Sequence, residues 1–193
     1  LFTSHILIKS PTYSDKIVDT REFSSLLNAC GRMGNPAVGI SIILGDEKAF
    51  ELSASLLAKY KRDLSKAIKY AKETKQTAKN IFIIDGKEII QENIIGTVAS
   101  ILNFDEEENL GKPIISYAKS DDDQIKISTR CPEPLLEKGV DLSLAIKNAG
   151  KTIGLNEISG GHKASAGAKI PADKIAEFIE AFDNEIGNQL QNT

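Results

Sequence analysis

A single apolar stripe limits the folds open to this chain more than any other feature. After Asp46, which reads as a helix N-cap, Ala49, Leu52, Leu56, Tyr60, Leu64, Ile68 and Ala71 fall on one side of a helical projection. A helix running to about Lys75 is on the order of 45 Å long at ~1.5 Å per residue. An element of that length serves as a strut between two bodies more readily than as part of one small core. The expected division is a connector region over residues 1–79, carrying the long helix, and a second domain over residues 80–193.

Upstream of the stripe, Asp19-Thr20-Arg21-Glu22 has the form of a capping box. Phe23, Leu26, Leu27 and Cys30 follow at helical spacing until Gly31 and Gly34 interrupt. After Asn35-Pro36, the run Ala37 to Leu44 fits a helix or a buried strand equally well by periodicity. Downstream, strands and helices interleave. Ile81 to Ile84, Asp85-Gly86 and Lys87 to Ile90 read as strand, hairpin turn and strand. Ile95, Val98, Ala99 and Leu102 mark a helix. Pro113 to Ala118 and Gln124 to Thr129 read as strands joined by the acidic turn Ser120-Asp121-Asp122-Asp123. Leu142, Ala145, Ile146 and Ala149 form a helical stripe stopped by Gly150. A last helix carries Ile175, Phe178, Ile179, Phe182 and Ile186, with Gly187 near its end. This alternation implies an α/β fold, and the hairpins imply a mixed sheet.

Composition narrows the function classes. The chain has 193 residues, 41% of them hydrophobic, enough for a proper core. A net charge of -3 supplies no global attraction to nucleic acid or to an acidic membrane, so any anion site has to be local. Apolar runs such as AVGISIIL fall far short of the ~20 residues that span a bilayer, so no membrane helix is expected. Cys30 and Cys131 lack CxxC spacing, which favours reduced thiols in a cytoplasmic protein. The start LFTSHILIKS, with neither a Met nor the order of a signal peptide, reads as a piece cut from a longer protein.

Three stretches carry candidate chemistry. In ISGGHKASAGA, one of only two histidines follows Gly160 and Gly161. Glycines can take positive φ and let a ligand approach backbone N–H groups, His162 adds a donor, and Ala164 to Gly167 leave the space open. A glycine turn with a solvent-facing histidine accounts for the same residues equally well. In IKISTR, alternation sets Lys126, Ser128 and Arg130 on the face opposite Ile125, Ile127 and Thr129. Arg130 could clamp a phosphate with two N–H groups, although a lone arginine is more often a surface residue. In NACGR, Asn28 and Arg32 flank a glycine at a helix end, which also fits a simple C-cap.

In this order the segments resemble a known family. LLNACGRMGNPAVGISIILGD is similar to the Asn-Ala-x-Gly-Arg region that follows the catalytic half of RecJ-type single-strand exonucleases. IIGTVASIL, KPIISYA, ISTR and SGGHKASAGA resemble the DHH-associated domain that closes those enzymes, with archaeal RecJ-like nucleases as the nearest form. The resemblance spans roughly residues 20–186 and implies a long connecting helix followed by a DHH-associated domain, its mixed β-sheet packed by helices. It implies that Gly160, Gly161 and His162 contact substrate phosphate and that Arg130 grips the nucleic-acid backbone, with Ser128 and Lys163 alongside. It also implies that Asn28 and Arg32 face the catalytic cleft. Ser159 stands where a third glycine is common in the family.

The chemistry implied by the resemblance is 5'-to-3' phosphodiester hydrolysis in single-stranded DNA or RNA, in repair or replication, by a pair of manganese or magnesium ions. Such a site needs clustered aspartates and histidines, including an Asp-His-His run. The chain has no such run, and His5 and His162 are far apart in sequence. The acidic runs Asp105-Glu106-Glu107-Glu108 and Asp121-Asp122-Asp123 fit solvated loops better than ligand sets. The expectation is a part that binds nucleic acid without cutting it, the catalytic DHH domain being its partner. Relatives of the family offer two other roles: a non-catalytic replication scaffold partnering GINS-type proteins, and a phosphoesterase of small nucleotides or short oligonucleotides.

Overall fold

Capping carboxylates start two of the three described helices in the first part of the chain. In a computed structural model, residues 19–105, 111–156 and 158–191 are described, and the chain divides into two units between Ser65 and Lys66. Helix α1 (Thr20–Arg32) begins where Asp19 accepts a hydrogen bond from the Arg21 backbone N–H at 2.8 Å. Pro36, pre-set for the first helical position, makes the next segment a helix, α2 (Pro36–Ile43), and so resolves the choice that periodicity left open. Asp46 caps α3 (Glu47–Thr74) by accepting from the backbone N–H groups of Lys48 and Ala49 at 2.9 and 3.2 Å. Leu26, Cys30, Ile42 and Ala49 form the core of the first unit, with Phe23, Leu27, Val38 and Leu56 packed on it. Helix α3 continues past Ser65 and contributes residues to both units.

The second unit is built on a six-stranded mixed sheet, as the hairpins implied. Its strands are β1 (Gln76–Thr77), β2 (Phe82–Asp85), β3 (Ile114–Lys119), β4 (Gln124–Arg130), β5 (Ser159–His162) and β6 (Ser165–Pro171), in the order β1-β2-β3-β4-β6-β5. Only β2 and β3 pair in parallel, and α4 (Glu92–Phe104) makes the crossover between them. Helices α5 (Glu133–Glu137), α6 (Leu142–Thr152) and α7 (Ile175–Gln191) complete the unit, with a 3-10 turn over Ala172–Lys174. Alternation along β4 and β6 sends Ile127, Ala166, Ala168 and Ile170 into one core with Ile146, Phe178 and Phe182. Full burial of each large apolar side chain stabilises the fold by roughly 1.5–3 kcal/mol. The opposite face of β4 meets α4.

Three expectations need correction. Lys87 to Ile90 is a turn and not a strand: the N–H groups of Ile89 and Ile90 both donate to the Gly86 carbonyl at 3.0 Å, and Lys87 has φ 46°. Strand β2 is already paired on both sides, with β1 and with β3, so it has no edge left for a hairpin partner, and the apolar signal there comes from Ile90, buried within the turn into α4. The segment around Gly160 and Gly161 is not a glycine turn but the edge hairpin β5–β6, closed at Lys163 and Ala164. Its small residues give little strand signal, so long-range pairing with β4 decides. Gly150 does not stop α6, which runs on to Thr152 before Gly154 turns the chain at φ 81°.

Candidate nucleic-acid interface

The side of the sheet away from α6 and α7 carries a polar row on each of two neighbouring strands. On β4 it is Lys126, Ser128 and Arg130, and on β6 it is Lys169, Gly167 and Ser165, paired in register in that order. Gly160 of β5 lies opposite Gly167. These residues line an open groove of about 430 Å³. Cationic side chains stand toward both ends, and the middle of the floor is nearly bare of side chains. Gly167 could not carry a methyl group without bringing it to 2.9 Å from the Ile127 carbonyl oxygen, whereas one at Gly160 would meet open space.

Helix α4 fixes Lys169 and Arg130 through three members of one row spaced i, i+4: Glu92, Gly96 and Ser100. The Glu92 carboxylate accepts a short hydrogen bond from the Ser120 hydroxyl and pairs with Lys169 at 3.3 Å; Lys169 Nζ also donates to Ser120 Oγ at 2.7 Å. The Ser120 hydroxyl holds the Glu92 carboxyl below its usual range; burial opposes this, and Lys169 and Lys126 add to it. Gly96 lets the helix approach closely, since a methyl there would lie 3.1 Å from Ser128 Oγ and 3.3 Å from Arg130 Nη2. Across that contact Arg130 donates from Nε to Ser100 Oγ at 2.7 Å and from Nη2 to the Gly96 carbonyl at 3.1 Å. Its Nη1 donates to the Thr129 carbonyl at 2.7 Å. A long flexible side chain is thereby held in one geometry, which lowers the entropy lost when a ligand meets it.

The candidates from sequence are distributed unevenly. Arg130, Ser128 and Gly160 line the groove. Gly161, at φ 141°, presses against β6: an added methyl would come within 2.5 Å of Ala166 Cα and of the Ser165 carbonyl oxygen. His162 and Lys163 are exposed at the end of the hairpin, His162 in register with Ser165. Asn28, exposed, and Arg32, half-buried, belong to the first unit, whereas the groove lining comes from the second. Lys169 was missed. The alternation of Lys169 and Ile170 carried the signal, but its meaning depends on the β4–β6 register, which no local pattern supplies.

The donors here are lysine, arginine and serine, which suit an anion. Among the described residues no group of three or more His, Cys, Asp or Glu is placed to hold a metal ion, so the manganese or magnesium implied by the resemblance does not fit this site. Asp121, Asp122 and Asp123 are exposed at a turn, and Asp105 pairs with Lys72 at 2.7 Å; His5 and Glu106 to Glu108 lie outside the described residues. Beside Arg130, burial pushes the Cys131 thiol up to about 12, far from a reactive thiolate. Cys30 and Cys131 are both free thiols. No helix among the described residues is long and apolar enough to cross a membrane.

Fold and groove together define an α/β domain with a cation-bearing polar groove on one face of its sheet. A family model for the DHHA1 domain matches residues 73–188. The chain belongs to the DHHA1 domain family, in agreement with the expected DHH-associated domain. It is 36% identical over 187 residues to the uncharacterized protein MJ0831 of Methanocaldococcus jannaschii, covering 97% of this chain and 40% of that protein. The chain thus spans well under half the length of this relative. Among solved structures it is similar to RecJ from Thermus thermophilus in complex with Mg2+, with a TM-score of 0.67 at 16% identity over 85% of this chain and 24% of that one. It is similar also to an exonuclease RecJ bound to manganese, with a TM-score of 0.67 at 16% identity over 88% of this chain and 42% of that one. At such identities the likeness is one of fold.

Proposed function

We propose that the second unit binds the phosphate backbone of single-stranded nucleic acid as the substrate-binding part of a RecJ-like phosphodiester hydrolase. The groove is the observation that supports this most directly: Lys126 and Lys169 side by side, a fixed Arg130, and a glycine floor that lets a phosphate reach the sheet. His162 and Lys163 extend the contact from the hairpin end. A cleft lined by one sign of charge acts locally even on a chain of net negative charge. Because the donor set fits an anion and not a metal ion, no bond-breaking step is assigned to these residues. The chain is proposed to bind without cleaving, with metal-dependent 5'-to-3' chemistry carried elsewhere in a longer protein acting in DNA repair or replication. The RecJ structures of like fold hold Mg2+ or manganese, which supports a divalent ion in that role.

The test is the affinity of the chain for a fluorescein-labelled single-stranded oligonucleotide, read by fluorescence anisotropy. Lys126→Ala, Lys169→Ala and His162→Ala are each expected to weaken binding by about fivefold, equivalent to ~1 kcal/mol, with circular dichroism unchanged. Equal affinity of all three variants and the parent would remove the assignment.

A further inference from the structure

The row Glu92, Gly96, Ser100, Phe104 on α4 has one member that the phosphate groove does not use. The first three are tied to the sheet side: Glu92 to Lys169, the Gly96 carbonyl to Arg130, and Ser100 to Arg130. From Gly96 through Ser100 to Phe104 the row passes from buried through half-buried to exposed, as the helix leaves the sheet. Phe104 is 83% exposed, the highest exposure among the described large apolar side chains of the second unit. Isolated exposed apolar residues are ordinary, but this one lines a cavity. Phe104, Pro132, Pro134 and Leu136 form the apolar side of a second groove of about 560 Å³, within the range of small-molecule sites. Arg130 and Ser165 line both grooves, so the two join at the arginine.

We infer that this second groove receives a nucleobase, stacked on the Phe104 ring, from the nucleotide whose phosphate lies at Arg130. A nucleotide has two chemically unlike parts a few bonds apart, an anion and a flat aromatic ring. Here a cationic groove and an apolar groove with an exposed ring share one cationic wall. Pro132 and Pro134 give that groove a stiff lining, and the Asn103 amide, donating to the Cys131 carbonyl at 3.5 Å, ties the end of α4 to the end of β4. A phenyl face accepts any base, so the subsite would be tolerant of sequence. With aromatics at only 6% and no Trp, it is one platform and not a stacking track. This inference rests on the phosphate-binding reading of the first groove.

The experiment compares two fluorescein-labelled probes of equal length, oligo(dT) and a strand whose sugars all lack bases, bound to the parent chain and to Phe104→Ala, Phe104→Trp and Lys126→Ala. Stacking predicts that Phe104→Ala binds oligo(dT) roughly tenfold more weakly yet holds the baseless strand as the parent does, and that Phe104→Trp retains affinity. Lys126→Ala should weaken both probes alike. Equal loss on both probes with Phe104→Ala, or no loss on either, overturns the base subsite and leaves the phosphate groove standing. If the parent binds neither probe, the phosphate reading falls and the base subsite falls with it.

Discussion

An alanine methyl at Gly161 would sit within 2.5 Å of the Ala166 Cα and of the Ser165 carbonyl oxygen, at a backbone angle of φ 141° that side chains rarely adopt. One residue earlier, the same methyl at Gly160 would touch nothing within 4 Å and would project into the groove. The two neighbours therefore serve different ends. Gly161 permits β5 to lie against β6, and Gly160 leaves the groove floor free of a side chain, as the proposed phosphate contact requires. Gly161→Ala is expected to cost roughly 2 kcal/mol or more in chemical denaturation, because backbone atoms have to move. Gly160→Ala should leave stability within about 0.5 kcal/mol of the parent and weaken oligonucleotide binding. The reverse pattern would mean that the roles of the two glycines have been exchanged. Arg130 shows how far residue identity alone can lead: taken singly it reads as a solvated arginine, and only its bonds to Gly96, Ser100 and Thr129 make it a fixed charge.

At the level of elements, local chemistry reads well wherever it is strong. Asp46 is both a sequence N-cap and an observed one, with two backbone donors on Oδ1, so Asp46→Ala should destabilise the chain by about 1 kcal/mol in a denaturant titration. An unchanged midpoint would show that those two bonds contribute nothing net. Helix α3 with most of its stripe, the β3–β4 hairpin and the helices α4, α6 and α7 could likewise be read in advance, since periodicity and turn residues act over a few positions; within the stripe, Leu52 is exposed and Ser53 is the buried residue of that turn. The second strand expected over Lys87 to Ile90 could not hold, because both sides of β2 are already taken by β1 and β3. The β5–β6 hairpin was hidden for the opposite reason: glycine, alanine and serine carry almost no strand signal, and pairing with β4 supplies it. The same register places Lys169 beside Lys126, which explains why half of the cationic pair escaped notice.

For the whole molecule, charge sets a clear constraint. With 24 basic and 27 acidic side chains, the chain has no bulk attraction for a polyanion, and binding has to arise from where a few cations stand. The chain belongs to the DHHA1 domain family and shares its fold with RecJ structures, and the proposed binding is placed in the groove of the second unit. The most direct measurement of that account is the salt dependence of single-strand binding by the parent chain, Lys126→Ala and Lys169→Ala. Affinity should fall linearly on a log-log plot against salt, and each substitution should lower the magnitude of the slope by about 0.7, the increment for one phosphate contact on a single strand. Salt-independent binding, or parent and variants sharing one slope, would contradict it.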